Sequence, residues 1–170
     1  MKLSIRHIKY ISKRAEKDTK AIIKQMREVA KKDPKLKKKF KEYGVDINDI
    51  DNVHIEFCPL EVSAKTKHMR IYLNDKMLDK MEFKEICSYA IHELIHYLQQ
   101  KTHNVHKNDM NKDYLDLETE EEAFKTQIDF KKRNEGKEEA EEYTNDLLDH
   151  HDYKGQKRKE KKKELIGHNK

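Results

Sequence analysis

Between Glu82 and Gln100, the residues Phe83, Ile86, Cys87, Ala90, Ile91, Leu94, Ile95 and Leu98 recur with alternating spacings of three and one. An apolar stripe that wide belongs to a helix packed inside a core, because a surface helix would leave part of it in water. The rest of the chain has little else to bury. Apolar residues make up 35% of the 170 positions and charged residues 42%, against a usual apolar share of about 45–50%. One small core built around this helix is therefore expected, with most remaining segments facing solvent. Four Gly and two Pro are too few for the tight turns of a β-sandwich. The expected fold class is α+β and helix-dominated.

Around that helix the pattern is readable in pieces. Ile8, Ile11, Ala15, Ile22, Met26 and Val29 have helical spacing. Asp33 and Pro34 offer a cap and a first-turn proline for a second helix, which carries Leu36, Phe40 and Tyr43 and stops at Gly44. Val53, Ile55 and Phe57 alternate, as do Met69, Ile71 and Leu73, so two short strands are expected as a hairpin or part of a small sheet. Thr119 and Glu122 have capping-box spacing ahead of Ala123, Phe124, Ile128 and Phe130, with Lys131, Lys132 and Arg133 in the last turn before Gly136. Residues 137–151 read as a further helix. After Tyr153 only Leu165 and Ile166 are apolar, so the chain from Lys154 is expected to be a solvated, flexible tail. The expected organisation is a helical segment over 1–44, a core over 45–153 and a basic tail over 154–170.

Inside the central helix lies His92-Glu93-Leu94-Ile95-His96, an H-E-x-x-H sequence. Histidines four apart project from one side of a helix, so both imidazoles can reach one zinc ion, while Glu93 sits where it can take a proton from water on that ion. Ten histidines and nineteen glutamates give about 0.07 chance occurrences of the pattern. A catalytic zinc needs a third protein ligand and an open position. The metzincin continuation fails, because its glycine position holds Gln99 and its third-histidine position Thr102. A carboxylate from a later helix remains, and residues 118–122 offer Glu118, Glu120, Glu121 and Glu122. Glu120 lies over the stripe of Ala123, Phe124 and Gln127 and is the expected ligand, with Glu121 the alternative; Glu118 is expected to precede the helix and Glu122 to close the capping box.

HELIHYLQ, followed 24 residues after His96 by the Glu-x-x-Ala of Glu120 to Ala123, resembles small cytosolic gluzincin-type metallopeptidases, including the ImmA/IrrE-like and phage-encoded H-E-x-x-H proteins. The resemblance covers residues of about 53–133. It implies a zincin-like core in which a small sheet packs on the H-E-x-x-H helix, a zinc peptidase activity on protein or peptide substrates, one Zn2+ per chain held by His92, His96 and Glu120, and Glu93 as general base. It also implies that a substrate strand binds beside the helix, for which the strand Met69–Leu73 is the candidate edge. The supporting Asp of larger gluzincins has no counterpart. Tyr97, Tyr114 and His106 are weaker candidates, as oxyanion stabilisers, and are expected outside the site, Tyr side chains near a core helix being more often packed. His150 and His151 are expected on the surface.

Charge adds little to this. Residues 1–41 carry 16 basic against 4 acidic residues, and 113–149 carry 5 against 14, so the blocks can attract each other and the net +5 is no measure of nucleic-acid affinity. Weak, salt-sensitive contact of residues 154–163 with nucleic acid is the most that the tail suggests. An alternative is a catalytically inactive module that binds a protein or nucleic acid through the basic helix and tail. No apolar run reaches the roughly 18 residues of a membrane span, the N-terminus is charged where a secretory segment is apolar, and Cys58 and Cys87 form no C-x-x-C pair. A reducing, cytoplasmic setting is expected.

Overall fold

The computed structural model describes residues 5–103 and 111–167, with side chains from Asp18 onward. The chain is 69% helical with a three-stranded mixed sheet, an α+β fold. In order it forms α1 (Ile5–Lys32), α2 (Pro34–Glu42), a 3-10 turn (Ile47–Asn52), β1 (His54–Cys58), β2 (Ala64–Lys67), β3 (Arg70–Asn74), the short α3 (Met77–Lys80), α4 (Phe83–Lys101), a second 3-10 turn (Tyr114–Asp116), α5 (Glu118–Asn134), α6 (Lys137–His150) and α7 (Gly155–Ile166). The wide stripe of α4 is buried as expected: Ile91, Leu94, Ile95 and Leu98 lie in one cluster with Met26 and Ala30 of α1, Leu36 and Phe40 of α2, and Ile55, Ile71 and Leu73 of the sheet. Residues of α1 and α2 thus share the central core. At α2, Asp33 Oδ1 accepts the Leu36 N–H at 2.8 Å and Gly44 takes φ +68°, so the proline, cap and stop act as their residue types dictate. Among the described residues no helix is long and apolar enough to cross a membrane.

The sheet has order β1-β3-β2, with β1 and β3 parallel (Ile55 opposite Ile71) and β2 antiparallel to β3. The two alternating segments are therefore neighbours but do not form a hairpin with each other. The stretch between them contains β2, Ala-Lys-Thr-Lys, which lacks apolar alternation because it is an edge strand whose Lys65 and Lys67 are exposed. A two-residue turn joins β2 to β3, with φ +50° at His68 and +59° at Met69. Side chains there crowd the backbone, and Gly or Asn is the usual occupant. The Met69 N–H donates to Gln100 Oε1 at 2.8 Å, which ties the turn to α4. Met69 is 47% exposed, so Met69→Gly should raise stability by about 1 kcal/mol in a denaturant titration, the relieved strain exceeding the packing lost.

The expected flexible tail is instead α7, packed against α5 and α6. Leu165 is buried in a second cluster with Leu115, Phe124, Ile128, Ala140, Leu148 and Tyr153. Lys161, 4% exposed, reaches Asp116 at 2.8 Å, Glu121 at 3.2 Å and Glu164 at 2.8 Å. One leucine and one buried cation among polar neighbours give no periodic signal, which is why composition suggested fraying. Burial of Asp116 and of Glu121 favours their protonated forms, but Lys161, together with Lys125 at Glu121, outweighs it and holds both below the usual carboxylate range. Lowered folded-state pKa values stabilise above the ordinary range near 4, and that stability is lost as pH falls through the folded values. A chain ending at Tyr153 loses the burial of Leu165, about 1.5–3 kcal/mol, and leaves Asp116 without Lys157 and Lys161 and Glu121 with Lys125 alone. Its melting temperature should fall by about 5–10 °C at pH 7, with the gap to the full chain narrowing below about pH 4.

Candidate metal centre

His92 and His96 stand one turn apart on α4 with their Nε2 atoms 3.1 Å apart. Glu120, in the first turn of α5, brings Oε2 to 3.5 Å from His92 Nε2 and 3.3 Å from His96 Nε2. Zinc with four tetrahedral bonds of 2.0–2.1 Å separates its donors by about 3.3–3.4 Å, so the triangle has the dimensions of one ion's ligands. Among the described residues Glu120 Oε2 is buried without a well-aligned hydrogen bond, a costly state for a carboxylate oxygen unless a cation is its partner. Burial opposes a charge on His96, yet the neighbouring Glu120 outweighs it and pushes the imidazole up to about 9. Burial likewise favours protonated Glu120, but the two imidazoles hold it well below the usual carboxylate range. The site draws positive charge between two nitrogens and a carboxylate. His92, His96 and Glu120 can hold a metal ion.

The orientation of His96 is fixed by Gln99. The Gln99 amide nitrogen faces the Thr119 carbonyl at 3.1 Å and Glu122 Oε2 at 3.0 Å. Both only accept, so the NH2 must point there and Oε1 must face His96 Nδ1, 2.8 Å away. Nδ1 then carries the proton and the Nε2 lone pair is left for a metal. Gln99 does for His96 what a supporting Asp does elsewhere. Among the described residues His92 Nδ1 has no hydrogen-bond partner; its ring packs on Phe124 with centroids 4.5 Å apart. Gln99→Leu should lower metal affinity by about 10–100-fold, measured by competition with a chelating dye, with the helix content unchanged.

Glu93, 5% exposed, follows His92 on the same helix and accepts the Thr66 hydroxyl at Oε2, 2.6 Å. The cavity beside the triad has a volume of about 310 Å³, and Thr66, Glu93, Gln100 and Tyr114 line it with the three candidate ligands.

No family model, curated protein or solved structure matches this chain. The reading of the site therefore rests on its own geometry.

Several neighbouring residues lie elsewhere than the sequence suggests. Glu122 closes no capping box: α5 has Leu117 at its N-cap with no side-chain cap, and begins at Glu118 instead of after it. Glu122 accepts the Tyr43 hydroxyl at 2.6 Å and pairs with Lys39 at 2.9 Å, joining α2 to Gln99. Glu121 turns away from the triad to Lys125 and Lys161. Tyr97 donates to Asp49 at 2.5 Å, outside the cavity. Tyr114 does line the cavity, since the 3-10 turn before α5 carries it there; its ring stacks on half-buried His151 at 5.0 Å, and partial burial beside Glu120 pushes its hydroxyl well above the ordinary value. His150 is exposed, and His106 lies outside the described residues. Strand Met69–Leu73 offers no edge, because β3 pairs on both sides; the outer strands are β1 and β2, and of these β2 lines the cavity. Thr66 gave no sequence signal because it acts on Glu93, 27 residues away, and Gln99 gave none because its orientation is set by Thr119 and Glu122, 20 and 23 residues on.

Proposed function

We propose that the chain is a zinc-dependent peptidase that hydrolyses protein or peptide substrates. The observation that carries the reading is the triangle of His92, His96 and Glu120, at 3.1, 3.3 and 3.5 Å, with Glu93 beside it in the same cavity. Two imidazoles and one carboxylate suit zinc, and also iron or manganese. When bound, zinc supplies a Lewis acid and lowers the pKa of its water toward neutrality. Glu93 accepts a proton from the attacking water and returns it to the leaving amine. The Thr66 hydroxyl holds one Glu93 oxygen, 2.6 Å away, and so limits its rotation. Tyr114 keeps its proton and can donate to the oxyanion. An extended substrate pairs with the free edge of β2, which runs along the cavity through Ala64, Lys65 and Thr66.

Elemental analysis of protein purified without added metal, followed by digestion of unfolded casein, tests this reading. One zinc per chain and cleavage that stops with a chelator are expected. Less than about a tenth of a zinc per chain would remove the basis of the proposal. The rival reading is a catalytically inactive module that binds a protein or nucleic acid through the basic helix and tail; in that tail Lys154, Lys157, Arg158 and Lys161 pair with Asp152, Asp113, Asp149 and Asp116.

A further inference from the structure

The exposed face of the sheet carries an electrostatic conflict. Lys67 of β2 lies directly opposite Arg70 of β3, and Lys65, on the same face, opposite Tyr72. Like charges directly opposite each other destabilise a sheet. Among the described residues none of Lys65, Lys67 and Arg70 has a carboxylate within ion-pair distance, and Glu56, the acid of this face, is engaged by His54 at 3.0 Å. The helices of the same chain pair many of their lysines with acids three or four residues away, as at Lys31, Lys39, Lys125 and Lys131. Two of these cations, Lys65 and Lys67, sit on β2, the strand that borders the cavity.

The backbone of that strand is set to receive another. Ser63 C=O accepts the Asn74 N–H at 2.9 Å, so by the alternation of antiparallel pairing residues 63, 65 and 67 face β3 while Ala64 and Thr66 turn their backbone groups to the free edge. Gln100 Nε2 covers the Thr66 carbonyl at 3.3 Å, and Ala64 lies open beside the cavity. A peptide strand seated there places side chains i and i+2 on the same face as Lys65 and Lys67, about 6.6–6.8 Å apart. We infer that Lys65 and Lys67 select extended peptides with two acidic side chains separated by one residue. This specificity rests on the peptidase reading of the cavity.

The test uses the full chain loaded with zinc in a Glu93→Gln background, so that peptide is not consumed. Binding of two labelled ten-residue peptides, identical except for Glu-x-Glu against Gln-x-Gln, is followed by fluorescence anisotropy. The acidic peptide should bind about five- to tenfold more tightly at low salt, the sum of two exposed ion pairs. The advantage should vanish in Lys65→Gln/Lys67→Gln, whose thermal stability should not fall because the opposition of Lys67 to Arg70 is relieved. Equal binding of the two peptides, or a preference that survives the double substitution, overturns the inference. So does a short oligothymidylate that displaces the peptide and binds more tightly. Zinc content and casein digestion by the unsubstituted chain are measured in parallel. Zinc and digestion without the acidic preference overturn the specificity alone, whereas a Lys65- and Lys67-dependent preference without zinc supports the acidic-peptide edge and removes the peptidase.

Discussion

Glu93→Gln is expected to keep one zinc per chain and to lose about 10²–10⁴-fold in the rate of casein hydrolysis. The substitution preserves shape and can still bond to the Thr66 hydroxyl, 2.6 Å from Glu93 Oε2, but an amide cannot take a proton from water. Its effect should fall on kcat with little change in KM, as for a group whose role is confined to the chemical step. Glu93 is not one of the three residues grouped as metal donors, so the zinc content serves as an internal control. If the substituted chain digests casein at the original rate, the general base is elsewhere. If neither chain digests casein while both hold zinc, the module reading replaces the peptidase.

Glu120→Ala should lower zinc affinity by more than the roughly 10–100-fold that loss of a supporting residue costs. It removes one donor of three and leaves the two imidazoles 3.1 Å apart without the carboxylate that attracts positive charge between them. Glu121→Ala provides the contrast. Glu121 serves Lys125 and Lys161, so its loss should loosen α7 and lower the melting temperature while zinc remains bound. A chain that loses zinc with Glu121→Ala and keeps it with Glu120→Ala would put the ligand one residue later. Glu122→Ala has consequences beyond a missing cap. It leaves Tyr43, Lys39 and Gln99 each short of a partner, and so disturbs His96 from a distance.

What the sequence determined by itself is what depends on short-range periodicity. The spacing of apolar residues from Phe83 to Leu98 specified a core helix, because 3.6 residues per turn leaves no other way to bury that stripe. The same periodicity placed His92 and His96 on one side of it, and the stripe of Ala123, Phe124 and Gln127 carried Glu120 inward ahead of its neighbours. The structure brings these three side chains to one point. Tertiary contacts decided the rest. β2 is a strand because β3 pairs with it, and its own Ala-Lys-Thr-Lys has no alternation to show. Glu122 and Gln99 matter through each other, 23 residues apart, and side-chain identity does not encode such a meeting. The last helix is held by a single buried leucine and by a lysine among three carboxylates. Composition averages over these contacts, whereas stability depends on where each lies, so a lysine-rich segment that reads as solvated becomes a helix packed on α5 and α6.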